Sequence, residues 1–122
     1  MAALNIAFEA PETGQQPRPS GGRPVDLVHL ARQTGGDKSL EAEVLALFAR
    51  QARQAVAQLG ELGTKARAEL AHKLAGAAKG VGAFEVARRA EALETKPASP
   101  AAITAFTKAV VDADSFIVGL MR

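Results

Sequence analysis

The stretch RAELAHKLAGAAKGVGAFEVARRAEALE, residues 67–94, holds the chain's most suggestive grouping of reactive side chains. His72 is its centre. An imidazole open to water titrates near pH ~6.5, so close to neutrality one ring nitrogen keeps a free lone pair. That nitrogen can attack phosphorus without the activating base that a serine hydroxyl requires. Lys79 follows seven residues later, and Lys65 and Lys73 flank the histidine. Their ammonium groups can offset the charge on phosphoryl oxygens. Mg²⁺ usually assists such transfers, but this helix face offers no carboxylate pair beside His72. Any metal must then come with a partner.

The helical period puts these residues in place. Successive residues turn by about 100°, so if Leu70 is the reference, Leu74, Ala77 and Val81 stay within about 40° of it. They read as the buried stripe. His72 falls at about 200° and points away from it, with Lys79 and Lys65 on the same side. Gly76, one turn beyond His72, also faces outward. A glycine inside a helix costs about 1 kcal/mol relative to alanine, and alanine is used freely elsewhere in this chain. Space beside the imidazole is the functional reason for it, since a Cβ there would hinder close approach.

Other reactive arrangements are weaker. His29 lies opposite Leu27 and Leu30 on a short helix and reads as an ordinary surface histidine. Two histidines without an acidic pattern do not form a metal site. Gly80 and Gly82 suggest a bend and close helix contact rather than a phosphate-binding loop, because no strand precedes them and no Gly-Lys-Ser/Thr follows. There is no cysteine, which excludes disulfides, thiolate catalysis and thiolate metal ligation.

The elements that must position His72 are helical. The 122 residues are 48 % hydrophobic, enough for one packed domain. Trp and Tyr are absent and there are only five Phe, which argues against a sheet sandwich or a base-stacking platform. A net charge of +2 gives little reason to expect nucleic acid. No apolar run approaches the roughly 20 residues of a membrane span, and the N-terminus lacks a signal-peptide pattern. Cytoplasmic residence is expected.

Residues 1–24 read as a flexible lead segment, with the Pro/Gly-rich PETGQQPRPSGGRP at 11–24 and a short apolar ALNIAF that can dock elsewhere. The folded domain is expected over 25–122. Asp26 should cap a short helix bearing Leu27, Leu30 and Ala31. Leu40, Val44, Leu47, Phe48, Ala52, Ala55, Val56 and Leu59 mark the next and strongest helix. A Gly60–Gly63 turn follows, with Thr64 as the cap of the His72 helix. Val86, Ala90 and Leu93 mark a helix from Ala83 to about Thr95. KPASP stops it, and Ile103, Phe106, Val110, Ala113 and Ile117 mark the last. The expectation is an all-α, antiparallel up-and-down four-helix bundle with a short extra N-terminal helix.

AHKLAGAAKGVGA resembles the signature of histidine-containing phosphotransfer domains. The matching residues are His72, Leu74, Gly76, Ala77, Ala78, Gly82 and Ala83, and the helical plan is similar from about 25 to 120. The resemblance implies a phosphorelay carrier. Here His72 accepts a phosphoryl group from a receiver-domain aspartyl phosphate and passes it to another response-regulator receiver. It implies that Gly76 gives the receiver clearance and that Lys79 stands at an often basic position. It also implies no autonomous kinase activity, no bound cofactor and Mg²⁺ in the partner receiver. The partners implied are response-regulator receivers and a hybrid histidine kinase, met by a monomer that binds neither nucleic acid nor membrane. Many members have lysine three residues after the histidine, where this chain has Ala75. Arg50, Arg53, Arg88 and Arg89 read as a solvated surface, some of it a rim that guides an acidic receiver site. Phe84 reads equally as a cap on the bundle or as apolar docking surface near the histidine. The alternatives are a receiver-binding adaptor without efficient transfer and a generic helical interaction module.

Overall fold

The structure is a computed structural model and describes residues 22–122. The expectations for residues 1–21, including the docking of ALNIAF, lie outside the described residues. The protein is all-α. Its helices are α1 (Leu27–Gln33), α2 (Lys38–Leu59), α3 (Thr64–Val81), α4 (Phe84–Thr95) and α5 (Pro100–Leu120). No strand occurs among the described residues.

Local chemistry sets the helix starts. Asp26 accepts hydrogen bonds from the backbone N–H groups of Val28 and His29, and Asp37 accepts one from Leu40. Ser99 caps α5 through the Ala102 N–H, with Pro100 in the first turn, where its missing N–H costs nothing. Thr64 is not a cap. It is the first residue of α3, and Gly63 occupies the cap position without a side-chain bond. α4 likewise begins at Phe84, with Ala83 in the cap position.

α3 packs against α2 and α4, α5 packs against the same two helices, and α1 rests on α3 and α2. The core they enclose holds Leu30, Phe48, Leu74, Val86, Leu93, Phe106 and Ile117, each almost fully buried. Burying such a side chain contributes about 1.5–3 kcal/mol. The α5 stripe lies as expected except that Ile103 is only partly buried, and Val86, Ala90 and Leu93 of α4 are all inside.

Two stripes are rotated from their expected positions. On α3 the buried residues are Ala71, Leu74, Ala75, Ala78 and Val81, while Leu70 and Ala77 are half-buried. The buried face has turned toward alanines. A methyl side chain adds little hydrophobic area, but it lets two helix backbones approach closely. On α2, Leu40 and Leu47 are exposed and Leu45 and Ala49 take the inner positions. Ala75, the position where lysine was noted to be common, is buried.

Arg67 fastens one end of the structure. Its Nε donates to the Leu59 carbonyl at 3.0 Å, Nη2 to Leu62 at 2.8 Å and Nη1 to Pro97 at 2.8 Å. One guanidinium thus joins the end of α2, the turn into α3 and the loop into α5. Bonds from a charged donor are worth about 1.5–3 kcal/mol each, less what water restores to exposed carbonyls. Arg67→Ala is therefore expected to lower folding stability by about 2 kcal/mol in denaturant titration. Arg67→Lys should recover less than half of it, because one ammonium cannot reach three diverging carbonyls. A loss under about 0.5 kcal/mol would show that water replaces the clamp.

Candidate functional site

α3 holds His72 well outside the core, with its side chain 74 % exposed. The rotated stripe explains how it still has a neighbour. α4 lies on the side toward which the buried face has turned, and it brings Glu94 to the ring. His72 Nδ1 lies 3.0 Å from a Glu94 carboxylate oxygen. An ionised carboxylate only accepts, so Nδ1 carries the hydrogen in this contact. In the neutral ring this selects the Nδ1–H tautomer, whose Nε2 lone pair is available to a reaction partner.

Glu94 was not legible beside His72 because it belongs to another helix. The sequence did hold a signal: His72 lies ten residues before Gly82 and Glu94 twelve after it. A chain reversal at Gly82 brings such positions side by side.

His72 and Glu94 line an open depression of about 460 Å³ with Lys65, Ala68, Glu69 and Lys73. Two of the three lysines noted around the histidine are therefore at the site. Lys79 lies about 10 Å further along the helix axis. It is ion-paired with Glu91 of α4, so its charge is already engaged. α4 thus meets α3 with two carboxylates one turn apart, Glu94 on the imidazole and Glu91 on the lysine.

Gly76 is exposed, and a Cβ built there meets nothing within 4 Å. The same holds for Gly80. Both residues lie within α3, which runs unbroken to Val81, so Gly80 marks no break in the helix. Four and eight residues past His72, these glycines leave that side of the helix bare. Among the described residues, no contact requires either to be glycine.

Gly82 is different. It ends α3 in the left-handed region at φ +89°, and its carbonyl accepts the Asp26 N–H at 2.9 Å. Here α1 meets the α3–α4 turn. His29 is part of this joint and does not face open solvent. Its ring meets Phe84 edge-on, with centroids 5.1 Å apart, and its Nε2 is buried without a hydrogen-bond partner among the described residues. Phe84 is 40 % exposed and sits beside His29, about 15 Å along α3 from His72.

The arginines divide into separate groups. Arg88 and Arg89 both bond Glu85. Burial pushes the Glu85 carboxyl up, but hydrogen bonds and charge from the two guanidiniums outweigh it and hold the group below its ordinary value. Arg53 pairs with Asp114 across α2 and α5.

Among the described residues, no three His, Cys, Asp or Glu side chains gather as a metal-ligand set. No described helix is long and apolar enough to cross a membrane. Comparison with protein-family models, with curated proteins and with solved structures gives no match for this chain.

Proposed function

We propose that this protein is a phosphorelay carrier similar to histidine-containing phosphotransfer domains, with the four longer helices as an antiparallel up-and-down bundle. The observation that carries the reading is the His72 ring itself. It is exposed, its Nδ1 is engaged by Glu94, and its Nε2 is left as a nucleophile beside a helix face stripped to glycine.

The transfer needs nothing else from this chain's interior. The Nε2 lone pair attacks phosphorus in a receiver's aspartyl phosphate. An N–P bond forms as the P–O bond to the aspartyl group breaks, and the aspartate carboxylate leaves with the electron pair. The ring becomes cationic with Nδ1–H still donating to Glu94, so the carboxylate faces the charge that develops. Lys65 and Lys73 line the same depression and offset the phosphoryl oxygens. The second receiver reverses the step. Mg²⁺ belongs to the receiver's acidic pocket. The partners on this reading are response-regulator receivers and a hybrid histidine kinase, met in the cytoplasm by a monomeric carrier.

The test is to incubate the protein with purified receivers of the same organism, each carrying labelled aspartyl phosphate. Rapid transfer from at least one receiver, giving acid-labile and base-stable label, supports the reading. Stable binding without label favours the adaptor, and neither binding nor label ends the proposal.

Gly76 gives an independent check. Gly76→Ala should raise folding stability by about 0.5–1 kcal/mol, since the built Cβ meets open space and alanine favours helix. Gly76→Gln should also fold, yet slow transfer by about tenfold or more by obstructing a close partner. A Gly76→Gln protein that transfers at the original rate would remove the reason offered for the glycine.

A further inference from the structure

A second surface, built by α2 and α5 and containing no residue of α3 or α4, has the makings of a binding groove. The two helices enclose an open depression of about 370 Å³ whose apolar floor includes Ala46, Ala49, Val118 and Met121, with Arg50 and Arg53 beside it. Val118 and Met121 are each 43 % exposed. Val111, seven residues before Val118 and on the same side of α5, is 54 % exposed. Large apolar side chains thus continue along α5 beyond the groove.

We infer that this groove binds an acidic amphipathic helix of a partner protein, with its apolar row lying between α2 and α5 and a carboxylate on Arg50. A cleft between two helices accepts the ridge of a third, and the small Ala46 and Ala49 let its backbone come close. Arg50 pairs with none of the described carboxylates. Arg53 is held by Asp114 at 2.6 Å, so Arg50 carries the uncommitted charge beside the groove. Guanidiniums pair with carboxylates in a bidentate geometry that suits glutamates on a helix flank.

Charge and shape select this occupant over two others. A second copy bound through the same groove would bring the arginines of both copies together, because a two-fold contact repeats one patch. A bilayer is disfavoured by shape, because a concave alanine floor gives a flat surface little to contact. The inference does not depend on His72 carrying phosphate.

The test uses the full chain and a fluorescein-labelled peptide of about 18 residues, with leucines at i, i+3, i+4 and i+7 and glutamates flanking them. Fluorescence anisotropy should show saturable micromolar binding that weakens as salt rises. Val118→Asp should weaken it by about tenfold or more and Arg50→Glu by several-fold, with melting temperature and helix content unchanged. A peptide with lysine in place of glutamate should not bind. Four results would each overturn the inference: no saturable binding; equal binding by the original chain and both variants; phosphatidylglycerol vesicle binding in place of peptide binding; and self-association that Val118→Asp abolishes. Arg50 lies on an exposed face, so its variant keeps the test decisive if Val118→Asp folds poorly.

Discussion

His72→Gln is expected to take up no label from a phosphorylated receiver, a fall of at least about 100-fold against the original chain. The substitution keeps a polar side chain of similar reach that can still donate to Glu94. What it removes is the lone pair, because an amide nitrogen is conjugated with its carbonyl and does not attack phosphorus. The side chain is exposed and its only bond among the described residues is to a half-exposed carboxylate, so stability should change by less than about 0.5 kcal/mol. An unchanged melting curve with lost uptake therefore isolates chemistry from folding. Acid-labile, base-stable label that persists in His72→Gln would move the phosphoryl acceptor to another residue. Both results are read on one gel, since the original chain run alongside reports whether the receiver was charged.

The elements around this histidine were legible to different degrees, for physical reasons. Five helices and most of their boundaries follow from the apolar period, Asp26, the KPASP stop and Pro100, because these signals act within one or two turns. The azimuth of α3 was legible only in part. Leucine and valine dominated the expected stripe, whereas the real interface selects Ala71, Ala75 and Ala78, whose value lies in allowing close approach. His72 survives that error because it lies outside both versions of the stripe, about 60° beyond Ala75 at the edge of the observed one. Glu94, Glu91 and the three carbonyls on Arg67 are contacts between elements, and a periodicity argument on one helix cannot reach them. His29 was misplaced for the same reason. Its own helix points it outward, but Gly82 and Phe84 arrive from elsewhere to cover it.

Gly82 is where the largest structural effect is expected. Gly82→Val should lower folding stability by about 3–4 kcal/mol, the sum of two separate penalties. A β-branched residue at φ +89° sits in a region that such side chains avoid, at about 1–2 kcal/mol. Its Cβ would also stand 2.8 Å from the Asp26 carbonyl oxygen, and that atom is backbone with little freedom to yield. Relieving the clash moves the start of α1, breaks the Asp26 N–H bond to the Gly82 carbonyl at 2.9 Å, and opens the site where Val25 is fully buried. Gly80→Val is the control, two residues earlier, with a negative φ and nothing within 4 Å of its Cβ. Its effect should stay under about 1 kcal/mol. Equal losses for the two variants would mean that glycine serves helix flexibility in general and not the joint with α1. The His72 site lies about 15 Å along α3 from Gly82, so the fraction of Gly82→Val that remains folded should still accept label. Uptake that falls further than the folded fraction would show that α1 docking and the imidazole are coupled through α3.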